Sequence, residues 1–301
     1  MTPPDRAATS SGPGTDGPSG VRLVVLSSLM LFVELGLIRW FGSYVVYLSF
    51  FTNFVLLASF LGVGVGFLRA RAERPLVPWT PIALVAAVVF LAIFPVEGAR
   101  VAGELRFVGG FGWPPMPEWL SLTAVFVLSF AVMATIAEAV GRTFVRFPPL
   151  EAYRWDILGS IAGIAAFSAL SFLHAPPLAW GIVVAAGLAW AIRPLRATQA
   201  AALMVTLVVL GLLSFTPNTR WSPYYRVRTA DPAPDGSVAI SVNGRPHQRI
   251  MPLATMETEQ TFRFEPYRRV PDNPLGEVLI VGAGSGNDVA IALSLGATHI
   301  D

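Results

Sequence analysis

The sequence predicts a multi-pass α-helical membrane domain, then a small β-hairpin element, then the first β-α unit of a truncated α/β, Rossmann-like nucleotide-binding fold. Three observations predict it. The chain is 54% hydrophobic and only 13% charged, where a soluble domain carries roughly 25% charged residues. Seven long apolar segments fill its first two thirds. Near the C-terminus, Glu277-Val-Leu-Ile-Val-Gly-Ala-Gly-Ser-Gly-Asn-Asp288 runs from a β-branched apolar stretch into a glycine-rich turn and then a helical pattern.

Residues 1–20 are rich in Pro, Gly, Ser and Thr and are expected to be disordered. Residues 21–216 form the expected membrane domain. Its candidate spans are Val21–Phe41, Val45–Leu68, Thr80–Val96, Trp119–Val140, Ile157–Leu173, Leu178–Ile192 and Thr198–Phe215. A full span needs roughly 20 residues, so the fifth and sixth are short, with Pro176-Pro177 turning the chain between them. Trp40, Trp79, Trp113, Trp119 and Trp155 lie near segment ends, where an interfacial belt would place them. All 21 basic residues are arginine. Arg6 and Arg22 precede the first span, and Arg69, Arg71 and Arg74 follow the second. Arg142, Arg146 and Arg154 follow the fourth, and Arg193 and Arg196 the sixth. The positive-inside rule then puts the N-terminus and the even-numbered turns in the cytoplasm. Seven spans would carry everything after Phe215 to the other side, whereas a nucleotide-type cofactor belongs in the cytoplasm. Either one short segment is re-entrant, or the rule fails here, or the domain is external; the expectation is a miscounted short segment and a cytoplasmic soluble part.

Residues 217–265 change character. Trp221–Arg228 reads as one strand, Asp231–Gly236 as turn chemistry, and Ser237–Val242 as a second strand ended by Asn243-Gly244. Residues 266–301 begin the nucleotide-binding domain. Pro266–Pro274 reads as a linker. Val278–Val281 reads as a parallel strand buried on both faces, Asp288–Leu295 as a helix, and Gly296 as its C-cap. Glycines let backbone approach a ligand, and a helix N-terminus presents free N–H groups. A dinucleotide fingerprint needs Gly-x-Gly-x-x-Gly, and its third glycine would fall on Asn287. Gly282, Gly284 and Gly286 instead have the Gly-x-Gly-x-Gly spacing of S-adenosylmethionine-type folds. The unit stops about one strand later, at Asp301, so the rest of that domain, with its catalytic residues, is expected beyond Asp301.

Four stretches resemble the spermidine synthase family, in particular bacterial members with an N-terminal multi-pass membrane region. Ser222-Pro-Tyr-Tyr-Arg-Val227 is similar to the family's opening strand. Val242-Asn-Gly-Arg-Pro-His-Gln248 is similar to its second strand and glycine turn. Val278–Gly286 resembles its cofactor loop, and Tyr153–Gly163 the Asp-x-x-Gly-Ser-x-x-Gly pattern of the membrane-bound members. The resemblance implies aminopropyl transfer from decarboxylated S-adenosylmethionine to a diamine. It implies Gln248, Gly282, Gly284, Ser285 and Gly286 as cofactor contacts. Such a reaction needs a nucleoside cradle, carboxylates for a cationic amine, and in-line positioning. Two positions depart from the family. Ser285 stands where the family carries aspartate, and Met256–Phe262 has two carboxylates but no matching tyrosine. A methyltransferase using S-adenosylmethionine fits Ser285 about as well. A transporter or sensor whose soluble part only binds ligand is a third reading.

The expected partners are the lipid bilayer, a polyamine or other small-molecule acceptor, and a second copy in a homo-oligomer. Membrane topology accounts for the arginines, so no nucleic-acid partner is expected. No cysteine and three scattered histidines (His174, His247, His299) point to no metal. Tyr224 and Tyr225 read as hairpin packing, His247 as an exposed turn residue, and Asp288 as a complement to the helix dipole. Glu34, Glu138 and Asp156 lie in apolar segments, where a carboxylate costs roughly 2.5–3.5 kcal/mol to insert. Ion pairs such as Glu34–Arg39 and Glu138–Arg142 are expected to hold them. Gly62, Gly64 and Gly66, and Gly159 with Gly163, read as close helix-packing positions.

Overall fold

A computed structural model describes residues 20–51, 53–101, 104–110, 113–269 and 275–301. The expected disorder of residues 1–20 falls almost wholly outside them. So does the end of the Pro266–Pro274 linker, whose beginning is helical.

Seven helices build the first domain: α1 Gly20–Tyr44, α2 Phe54–Leu68, α3 Thr80–Ile93, α4 Glu118–Phe144, α5 Pro149–Phe172, α6 Pro177–Ile192 and α7 Ala197–Ser214. Of these, α1, α4, α5 and α7 are long and apolar enough to cross a membrane. Large apolar side chains such as Leu57, Phe60, Ile161, Ile164, Val208 and Leu212 face outward. In water such a surface would be a liability, but against lipid it costs nothing. The protein is therefore read as a membrane protein.

Helix directions follow from which residues meet. The α1 and α5 helices run parallel: Gly159 abuts Val24, Gly163 abuts Ser28, and Arg39 reaches Ser171. The α2 and α4 helices are also parallel, with Gly62 against Phe130 and Gly66 against Ala134. The α6 helix runs against α1 and α7. Arg22 donates to the Ala191 carbonyl at one end, and the Leu178 N–H donates to Ser214 Oγ at the other. Gln199 Nε2 donates to the Pro78 carbonyl, which brings the start of α7 to the start of α3. Odd-numbered helices thus run one way and even-numbered ones the other. Among the described residues none of the seven helices turns back inside the bundle, and α2, α3 and α6 are shorter than a full span.

Several boundaries differ from expectation. The second segment does not start at Val45: Val46–Ser49 is a short 3-10 turn, and Val45 bridges to Val96 before α2 begins. Hydropathy does not register that break because both sides are apolar. The fifth segment is longer than expected. Its helix starts at Pro149, and its polar first turns carry Glu151, Arg154 and Asp156. The third ends at Ile93, and Val96 opens a hairpin the sequence did not reveal: β1 Val96–Val101 against β2 Glu104–Gly109. Trp40 is not interfacial. It is buried and stacks on Trp221 at 6.2 Å, because the soluble sheet covers the end of α1.

That sheet is a four-stranded antiparallel meander of β3 Thr219–Trp221, β4 Arg226–Thr229, β5 Val238–Val242 and β6 Arg245–Ile250. Trp221–Arg228 is two strands rather than one. Ser222 Oγ accepts the Tyr224 and Tyr225 N–H groups and folds the chain into a tight turn. Behind the sheet come α8 Leu253–Glu259, a 3-10 turn at Thr261–Phe264 and α9 Glu265–Arg268. A final parallel pair, β7 Glu277–Val278 and β8 His299–Ile300, is joined by α10 Asn287–Ser294. Met251, Met256, Phe264 and Ile291 form the small core that packs α8 and α9 on α10.

The strand expected at Val278–Val281 is shorter than expected and is not buried on both faces. Leu279 is 75% and Val281 90% exposed. Both side chains are left open to solvent among the described residues.

Candidate functional site

The glycine turn is built by backbone conformation. Gly282 (φ 79°), Gly284 (φ 57°) and Gly286 (φ 82°) all occupy the left-handed region, which L side chains enter only at a cost. The Gly286 N–H donates to the Ala283 carbonyl at 2.8 Å, closing the turn onto α10. No side chain caps α10, so its first-turn N–H groups have no intrahelical acceptor and face the turn.

Gln248 completes the arrangement. It sits on β6, paired with Ile240 of β5, and its amide lies over Gly284. A Cβ on Gly284 would stand 2.7 Å from Gln248 Nε2. Two segments that the sequence assigned separately to a cofactor are therefore in contact. Ser285 is half-buried in the same turn.

Asn287 fixes that contact, and sequence reasoning gave it no role beyond displacing a glycine. Its Nδ2 donates to the Arg249 carbonyl at 2.7 Å, and its Oδ1 accepts the Met251 N–H at 3.1 Å. One buried side-chain amide thus pairs with the β6 backbone as another strand would. A buried amide at the first position of a helix, where glycine was wanted, was the available signal.

Asp288 is held by Arg263 through both carboxylate oxygens, at 3.0 and 3.1 Å. Tyr267 donates to its carbonyl at 3.4 Å. Burial, and then the Asp288 charge, hold the Tyr267 phenol above its usual value. Glu259 and Asp235 both pair with Arg249. Asp288, Glu259 and Asp235 are thus committed to arginines, and the turn offers backbone donors, a carboxamide and a hydroxyl. That donor set suits a nucleoside or another polar ligand held by hydrogen bonds. His247 is exposed on strand β6 rather than in a turn.

The sheet is clamped to the helix bundle by two arginines. Arg39, near the end of α1, donates to Ser171 Oγ and to the Ser222 carbonyl. Its guanidinium lies 4.6 Å from the Trp180 ring and 5.5 Å from that of Trp221. Arg226 lies 4.0 Å over Tyr44 and is ion-paired with Glu97 of β1. The Gly98 N–H donates to the Gly244 carbonyl at 2.7 Å, joining the β1–β2 hairpin to the sheet. The expected Glu34–Arg39 pair does not form. Five residues apart on a helix means roughly 140° of rotation, so the two side chains leave on different faces. Glu34 is buried with Oε1 unpartnered. Glu138 and Arg142 do pair, at 2.8 Å, and Asp156 accepts Ser27 Oγ. Tyr224 packs edge-on against Phe172.

These elements define a class: a helical membrane domain with a small β-sheet and a β-α-β unit fastened to one end of the bundle. Comparison with protein-family models, with curated proteins and with solved structures finds no match for the chain.

Proposed function

We propose that the protein is a membrane-anchored, spermidine synthase-like transferase of the bacterial cell membrane. In this reading it moves an aminopropyl group from decarboxylated S-adenosylmethionine to a diamine. The observation that carries the reading is the contact of Gln248 with Gly284. The resemblance names both as cofactor contacts from segments 36 residues apart, and a cofactor bound between them would touch both. The Asn287 amide bridge gives that contact a fixed geometry. Gly282, Ser285 and Gly286 would complete the cradle as the opening of a Rossmann-like domain, with the α10 N-terminus facing the bound nucleoside.

Ser285 supports a methyltransferase as the second reading, because a hydroxyl does not pair with the amine end of a decarboxylated donor as an aspartate would. The clamps at Arg39 and Arg226 support a third, a ligand sensor, since a domain fixed to the helix ends can pass occupancy into the bundle.

The test uses membranes carrying the full-length gene product. Decarboxylated S-adenosylmethionine and S-adenosylmethionine are supplied separately with putrescine, and products are read by mass spectrometry. Spermidine from the first donor is the expected result. Methylated putrescine from the second would move the protein to the methyltransferases. No product from either would favour the sensor.

A further inference from the structure

We infer that the glycine-turn site opens on the non-cytoplasmic side of the membrane, so that its ligand must reach it from that compartment. The argument rests on two ends of one bundle. One end gathers the start of α1, the end of α2, the start of α3, the end of α4, the start of α5, the end of α6 and the start of α7. It is tied together by Arg22 to Ala191, Arg142 to Ala72, the Leu76 N–H to Glu138, and Gln199 to Pro78. Every short turn at this end has arginine in it or beside it: Arg69, Arg71 and Arg74 after α2, Arg142 in the last turn of α4 and Arg146 after it, and Arg193 and Arg196 after α6.

The opposite end holds the Val45–Val96 bridge, the β1–β2 hairpin, the Pro176-Pro177 turn and the end of α7. Its turns are poor in arginine by comparison. Arg39 is enclosed there by Trp180, Trp221 and the Ser222 carbonyl, and the hairpin carries two arginines, Arg100 and Arg106, against seven in and beside the short turns of the other end. The sheet and the β-α-β unit are fastened to this second end through Arg39 and Arg226. Orientation follows arginine in short loops near span ends, whereas long domains are moved largely regardless of charge. The arginine-rich end is therefore cytoplasmic, and the glycine turn lies across the bilayer from it.

This goes beyond the transferase reading, does not rest on it, and constrains where its donor would come from. A sulfonium donor made inside the cell would reach the site only after export. A ligand already present outside would reach it directly.

Residues 1–301 contain no cysteine; with any cysteine elsewhere in the full-length product replaced by serine, single cysteines report position without background. Ala233→Cys lies in the exposed β4–β5 turn, Ala283→Cys in the glycine turn, and Glu73→Cys between α2 and α3 on the arginine-rich end. Each full-length variant is treated in intact spheroplasts with a membrane-impermeant maleimide, and again after permeabilisation. Labelling after permeabilisation establishes that each cysteine is present and reachable. The inference expects A233C and A283C to label fully in intact spheroplasts and E73C only after permeabilisation. It is overturned if E73C labels in intact spheroplasts, or if A233C and A283C wait for permeabilisation. The labelling reads sidedness with no donor present, so its failure and the failure of the transferase reading are separate results.

Discussion

Glu138 shows how a carboxylate is accommodated inside a helix bundle. Its side chain is fully buried, accepts the Leu76 N–H and pairs with Arg142, which also donates to the Ala72 carbonyl. Removing one partner of a buried pair costs about 3–5 kcal/mol, because the remaining charge is left uncompensated. Arg142→Met should therefore lower thermal stability in detergent sharply, and adding Glu138→Leu should recover most of the loss. If the double variant is no more stable than the single, the pair is not what holds that end together. Gly284 makes a different prediction. Its φ of 57° costs an L residue roughly 1–2 kcal/mol, and a new Cβ displaces the Gln248 amide. Gly284→Val should loosen the turn without disturbing the helices, seen as faster hydrogen exchange confined to residues 282–290. Asp235 supplies a pH dependence. The Ser237 hydroxyl, then the Ser237 N–H, and Arg249 hold its carboxyl below the usual range. A depressed carboxylate adds stability that is complete above its unfolded value, near 3.9, and lost as pH falls through the lower folded value. Protection of the Gly236 and Ala233 N–H groups should persist down to about pH 4 and fall below it. Asp235→Asn should show weaker protection and no such transition.

At the scale of elements, close helix crossings and one arginine do most of the positioning. Gly62 and Gly66 admit the α4 backbone, and Gly159 and Gly163 that of α1, whereas Gly64 faces open space and is not a packing position. Gly66→Leu should disrupt α2–α4 packing, and Gly64→Leu should be tolerated, a contrast readable from folded yield in detergent. Arg39→Leu removes two hydrogen bonds and two cation–π contacts at the junction with the sheet. The expected result is a soluble part that is cut by protease faster while the bundle stays intact. Which elements were legible in the sequence follows the same physics. Apolar runs marked all seven helices, with arginine following the second, fourth and sixth. The break at Val45–Phe51 was hidden because a 3-10 turn of apolar residues has the same hydropathy as a span. The β1–β2 hairpin was hidden because Val96–Gly109 mixes polar and apolar residues without clear alternation. The turn at Ser222 was carried by hydroxyl hydrogen bonds that a run of Pro-Tyr-Tyr-Arg-Val does not advertise.

For the whole molecule, the bundle and the soluble part act as one object because the sheet is built onto the ends of α1, α5 and α6. The site residues were legible one at a time in Gly282, Gly284, Ser285, Gly286 and Gln248. Their meeting was not, because it depends on Asn287 holding α10 to β6 across 38 residues. The arginine pattern and the parity of seven helices were both present in the sequence. Both conflict with a cytoplasmic site, and the maleimide labelling decides between them. The most direct test of the central claim is equilibrium binding of labelled S-adenosylmethionine and its decarboxylated form to the full-length protein in nanodiscs. The comparison is with Gln248→Ala and Gly284→Val, and both faces are open to ligand. Saturable binding of one donor, weakened at least about tenfold, or roughly 1.4 kcal/mol, by either substitution, is the predicted result. Saturable binding indifferent to both substitutions, or no binding of either donor, would contradict it.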